Sequence, residues 1–464
     1  MSFKLGARAQ VCLFCRFVVV RTDRGLEKYG RVADLLELPS PFVVGSGGTW
    51  NGQRFEVEGR VQYDRHNAPS APWQEFLLGF PEKGSTAWVA SAQGRWYVTY
   101  EISGVEFPSL ASLRPGTILQ LGAHGVWSVQ EVGQRRLVSA EGSLTGIPRP
   151  DVITGYADLS GPEGRFGTLD FGDGSEPPVA FLGQQFDPAS IVLESGAPLG
   201  QPTAQVKDVQ CPTCGGNLPL LSGQVERLIC RYCGTQSDLT QGKLAALGPT
   251  PRLTSQLQIA LGAEGTLRGI HLICCGFVAR SCRVDDERYA WREYLLWGGA
   301  TVGYVWLMEE DDVWSLVTPI EVGDINQGSD EVAYRGETYA WAQSVKARVD
   351  EVVGEFYWKV AIGETVKATE FKLGQNKISR EATATEVVFS FCSPVHPREL
   401  DAFGAVVASA TADGTPRNPV VSEQFSNVLW ILLVVVALVL FVMFDGCHSG
   451  GGGGSFYGGG SFSK

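Results

Sequence analysis

Six of the eleven cysteines fall in three Cys-x-x-Cys pairs, Cys12 with Cys15, Cys211 with Cys214, and Cys230 with Cys233. The last two pairs read C-x2-C, fifteen residues, C-x2-C. Four thiolates carried on two tight turns close a tetrahedral shell around zinc, whereas a catalytic zinc needs one position left open. Cys211, Cys214, Cys230 and Cys233 are therefore expected to hold a structural zinc, with Gly215 and Gly234 freeing backbone N–H groups to turn toward the sulfurs. A thioredoxin-like redox pair is the alternative, but it calls for a βαβ pattern that is not seen here. Arg227, Arg231 and Tyr232 form a candidate nucleic-acid contact, which Glu226 in their midst opposes.

A constant offset ties distant residues together and marks an internal repeat. Cys12 and Cys15 match Cys230 and Cys233 at 218, as Trp73, Glu75, Trp88 and Trp96 match Trp291, Glu293, Trp306 and Trp314. Gly45, Gly52 and Gly59 match Gly262, Gly269 and Gly276 at 217, and Gly142 and Asp158 match Gly354 and Glu370 at 212. Met1 aligns with Pro219, past the first Cys pair of the central ribbon. Copy one thus shows half a ribbon: its start lies upstream, or the ribbon has decayed, or two chains share a metal.

Strand periodicity puts Trp73, Glu75 and Leu77 on one face, and Trp291, Glu293 and Leu295 likewise. An inward glutamate beside an indole is a candidate general acid or base, or the site of a small cationic amine. The competing reading is structural, with the carboxylate accepting hydrogen bonds from an indole or from backbone N–H groups. No other carboxylate, His or Cys stands out as recurring with it, so no catalytic residue is assigned. The five histidines share no positions between copies, and Cys274 and Cys275 read as small core hydrophobes. Gly161 to Gly174 lacks a P-loop's Lys-Ser or Lys-Thr and reads as a loop.

These residues must be positioned by the elements around them. At 464 residues, 44% hydrophobic and 19% charged, the chain can bury a core and suggests about three units. Fifty acids against 38 basic residues, a net charge of −12, argue against a general nucleic-acid coat. Residues 86–102 and 303–320 read as strand, turn and return strand; residues 54–63 and 270–280 alternate or run apolar. Residues 25–38 carry a short helical signal. The expected fold is mainly β: two tandem antiparallel β-barrel or sandwich-like repeats, a four-cysteine ribbon between them and one C-terminal transmembrane helix. The boundaries are 1–35 for the half ribbon, 36–200 for repeat one, 205–240 for the zinc ribbon, 250–402 for repeat two and 403–424 for a linker.

Val428 to Phe444 is seventeen apolar residues without a charge, about 26 Å as a helix, so 425–444 is expected to span a membrane. Residues 445–464 form a Gly-rich tail. Unpaired thiols place the bulk of the chain on the reducing, cytosolic side of a single-pass inner membrane protein.

With its repeat laid out, the chain resembles an uncharacterised bacterial family, a domain of unknown function. There, four-cysteine ribbons precede β-rich domains carrying W-x-E-[FY]-L-L, here Trp73 to Leu78 and Trp291 to Leu296, and a later Gly354 to Trp358 element that copy one lacks. The resemblance implies a membrane-associated system, since such proteins look like components of gene clusters with small membrane proteins and polyamine-synthesis-like enzymes. It assigns no activity. The leading expectation is a membrane-anchored, non-enzymatic adaptor that presents two β domains and a structural zinc ribbon to cytosolic protein partners. The alternatives are a small-molecule (cationic amine) enzyme or binder at Glu75 or Glu293, and a zinc-ribbon nucleic-acid binder.

Overall fold

In the computed structural model, the described residues are 3–404, except 5, 13, 23–24, 37, 39, 67–71, 151, 175–176, 196–198, 200–207, 223–224, 241–242 and 252. The expected linker beyond 404, the 425–444 span and the Gly-rich tail lie outside them. No helix among the described residues is long and apolar enough to cross a membrane.

Alternating apolar and polar residues give long antiparallel strands, and these close on themselves twice. The first barrel has eight strands: Gln53–Arg65, Trp73–Phe80, Ser85–Ala92 and Arg95–Ile102, then Val126–Leu144, Ile153–Gly161, Arg165–Gly172 and Val179–Phe186. Each group of four is a meander. They join where Val179–Phe186 pairs with Arg95–Ile102, and where Val126–Leu144 pairs with Gln53–Arg65. The second barrel repeats this order with Ile270–Val284, Glu287–Trp297, Tyr304–Glu310, Val313–Ile320, Glu337–Phe356, Thr365–Leu373, Asn376–Ala382 and Val387–Val395. Of the two expected architectures, barrel or sandwich, closure selects the barrel, which leaves no free edge in the ring.

The expected hairpins form around residues held at positive φ, Gln93 and Gly94 in one copy and Asp311 and Asp312 in the other. Two expectations fail. The described residues of 25–38 contain no helix: Gly25–Arg31 is a strand paired with Phe17–Thr22, because the ribbon hairpin needs a return strand and supplies its hydrogen bonds. Gly161 to Gly174 is not a loop: Arg165–Gly172 is a barrel strand, whose turn rests on Glu163 and Gly164 at positive φ.

The recurrent glycines mark the seam of each barrel. Gly59 lies opposite Gly142, and Gly276 opposite Gly354. A Cβ on Gly59 would stand 2.3 Å from the Ser143 carbonyl oxygen, and one on Gly276 would stand 2.6 Å from that of Glu355. At this crossing the long closing strand also pairs with the ribbon: Val11 lies opposite Gly142, and Ile229 opposite Gly354.

The matched tryptophans divide their work. Trp314 is packed in the core against Tyr294, 5.6 Å between rings, while Trp88 and Trp306 face the barrel interiors. Burying such a ring removes a large apolar area from water and is a main source of barrel stability.

Candidate metal centre and barrel interior

The central ribbon brings its four cysteines together. Their sulfurs all lie within 4.8 Å of one another, with Cys211 to Cys233 at 3.6 Å and Cys214 to Cys230 at 3.8 Å. A tetrahedron of metal–sulfur bonds of about 2.3 Å has edges of about 3.8 Å, so the donor set fits a four-thiolate metal ion. Each turn is built alike. The Gly215 and Gly234 N–H groups donate to the Cys211 and Cys230 carbonyls at 2.9 and 2.8 Å, both glycines at φ +71°. The ribbon is pinned to the second barrel: the Glu355 carboxylate accepts from the Leu221 and Ser222 N–H groups and the Ser222 hydroxyl, at 2.7, 3.0 and 2.8 Å.

Arg227 does not project toward a nucleic acid. It is buried, donating to Asp238 Oδ1 and the Val360 carbonyl, both at 2.8 Å, so one of the three expected contact residues serves the ribbon–barrel joint instead. Arg231 and Tyr232 are exposed, Tyr232 at 63%.

The N-terminal Cys pair keeps the same turn. The Cys12 N–H donates to Phe17 and the Arg16 N–H to Cys12, both at 2.9 Å, as Cys230 and Gly234 do in the central ribbon. Arg16 holds φ +57° where the central ribbon has a glycine. Among the described residues, the four central cysteines form the one group of three or more metal-binding side chains, and Cys12 and Cys15 are not in it.

Glu75 and Glu293 both face inward, and each accepts from the indole two residues before it. Trp73 Nε1 lies 2.9 Å from Glu75 Oε1, and Trp291 Nε1 lies 2.7 Å from Glu293 Oε1. Each also meets a guanidinium. Arg135 Nη1 is 3.5 Å from Glu75, and Arg280 Nε is 2.9 Å from Glu293. Both carboxylates are held in structural contacts of the kind expected of an acid that fixes a barrel.

The sequence reading missed the company these pairs keep. In the first barrel, Asp170 binds Arg135 at 2.8 Å, and Glu131 takes Arg65 at 2.8 Å and the Tyr156 hydroxyl at 2.6 Å. Asp158 accepts from Thr168 at 2.7 Å. In the second barrel, Glu381 lies 3.8 Å from Arg280 and Glu386 sits opposite Glu131, where the two barrels' backbones meet. Burial, reinforced by Glu131, pushes the Glu386 carboxyl up to about 7, and burial likewise raises Asp158 and Glu381. The one available signal was the match of Asp158 with Glu370, both of which line the interior.

A sequence profile described as "Domain of unknown function (DUF4178)" matches residues 43–188 and again 260–397. The chain belongs to the DUF4178 family. Each DUF4178 match spans one barrel and leaves the cysteine ribbons outside. No curated protein matches at a significant level. A solved structure, the vaccine antigen Transferrin Binding Protein B double mutant from Haemophilus parasuis Hp5, aligns at 9% identity over 82% of this chain and 83% of that one. Its TM-score of 0.12 carries no argument about the fold.

Proposed function

We propose that this DUF4178 chain is a membrane-anchored, non-enzymatic adaptor, its two barrels and a zinc-closed ribbon forming one platform for cytosolic protein partners. The observation that carries this reading is the bracing between barrels. Glu321 of the second barrel accepts from Arg95 at 2.8 Å and Ser160 at 3.2 Å of the first. The Val132 N–H donates to the Thr385 carbonyl at 2.8 Å, and the Glu163 N–H to Asp324 at 2.8 Å. Such links hold two binding modules at a set orientation, which suits a scaffold. The four thiolates suit zinc, whose filled d shell imposes no geometry of its own. Residues 425–444 would tether the assembly to the inner membrane.

The test is crosslinking and affinity purification of the full chain from membranes, with metal analysis on the same sample. A protein partner retained in stoichiometric yield, with about one zinc per chain, is the expected result. Recovery of the chain in the soluble fraction with no retained partner defeats the proposal.

A further inference from the structure

The two barrel interiors open into one continuous cleft of about 1120 Å³. Its lining carries twelve carboxylates against five guanidiniums and the Lys359 ammonium. Eight of the acids are Glu75, Glu131, Asp158 and Asp170 from the first barrel, and Glu293, Glu364, Glu381 and Glu386 from the second. Five of these eight acids are paired with guanidiniums, Glu75 and Asp170 with Arg135, Glu131 with Arg65, and Glu293 and Glu381 with Arg280. Glu386 lines the cleft at the seam, and its carboxylate makes no hydrogen bond or ion pair with the described residues. Glu131, Glu381 and the Arg65 guanidinium lie within electrostatic reach of it, and Arg280, Glu293 and Glu364 within reach of Glu381, so the acids, with two guanidiniums among them, run in series from one barrel into the other.

Two features narrow the ligand class. First, these carboxylates do not converge: among the described residues, only the cysteine cluster brings three or more metal-binding atoms together. A compact divalent ion needs several oxygens at one point, and this arrangement spreads them along a channel. Second, aromatic rings flank the acids in both halves. Trp73 lies 6.3 Å from Tyr156 on one side, and Tyr357 lies 4.9 Å from Trp358 on the other. Ring faces beside carboxylates favour an organic ammonium, whose methylenes pack on the rings while its N–H groups reach the oxygens.

We infer that the cleft binds a linear organic cation carrying two or more amines, one ammonium at the Glu131–Glu386 seam and another beside Glu381 and Glu364. The aliphatic chain between them lies along the aromatic walls. This inference is independent of the adaptor reading, because it concerns the interior and the adaptor reading concerns outer surfaces and the membrane.

The test is isothermal calorimetry on the full chain in detergent with 1,4-diaminobutane and 1,8-diaminooctane, with choline and magnesium as comparison cations. Saturable binding of at least one diamine is expected, with choline and magnesium weaker. Glu386→Gln and Glu381→Gln should each weaken it about tenfold or more, since each removes a charged acceptor, while Asp401→Asn, exposed on the 3-10 helix Pro397–Phe403 outside the cleft, leaves it unchanged. Affinity should rise between pH 6 and 8 as the Glu386 carboxyl at the seam ionises. Absence of saturable heat with both diamines overturns the inference, as does equal affinity for magnesium or unaltered binding in both Gln variants with intact melting curves.

Discussion

Arg135 and Arg280 reach equivalent glutamates from different strands. Arg280 occupies the position opposite Trp291 that Tyr63 occupies opposite Trp73. Arg135 instead comes from the closing strand, where the pairing of Leu137 with Tyr63 and of Val349 with Arg280 makes Ala347 its counterpart. In the first barrel the guanidinium lies over the Tyr63 ring, 4.1 Å from its centroid. The two copies have exchanged which strand carries the charge and which the filler, while the Trp–Glu pair stays in place.

The buried ion pair should be costly to break from one side. Arg280 and Glu293 side chains are only 11% and 15% exposed. Glu293→Gln keeps an acceptor for the indole but leaves the guanidinium without its close carboxylate, so urea unfolding should show a loss of roughly 3 kcal/mol.

The strand exchange is itself testable. Arg280→Tyr alone should destabilise by a similar amount, roughly 3 kcal/mol. Adding Ala347→Arg rebuilds the arrangement of the first barrel and should restore part of the loss, seen as a non-additive double-mutant cycle.

The seam glycines have no room for a methyl group. Gly276→Ala should cost roughly 1–3 kcal/mol by overpacking. Gly354→Ala should cost more, because Gly354 also holds φ +98° and its Cβ would stand 2.3 Å from the Cys275 carbonyl oxygen. Thermal melts of the two variants should rank in that order.

Stability should fall as pH rises toward 8. The Glu386 carboxyl sits at about 7 in the folded chain against an ordinary 4.5, so between these values the folded state holds the extra proton. The contribution is greatest below about 4.5 and is lost as pH climbs through 7. Asp158 and Glu355, raised chiefly by burial, act with the same sign. Urea midpoints measured from pH 5.5 to 8 should decline, and Glu386→Gln should flatten the slope.

Loss of one thiolate should release the metal. Cys230→Ser leaves three sulfurs, and metal content should fall from about one per chain toward zero, with a lower melting temperature because metal binding is coupled to ribbon folding.

Local spacing alone determined the cysteine centre, the duplication, and the inward placement of Glu75 and Glu293. Those features depend on short loops or on a two-residue strand period, both readable along the chain. Only the tertiary structure decided that the repeats close into barrels, because closure rests on pairings such as Gly59 with Gly142 that no local pattern encodes. It also turned residues 25–31 from an expected helix into a strand, since the neighbouring ribbon strand outweighs local propensity. The acid-rich cleft was the least legible feature. Glu131 and Glu386 lie 255 positions apart in sequence and meet only where one barrel's backbone touches the other.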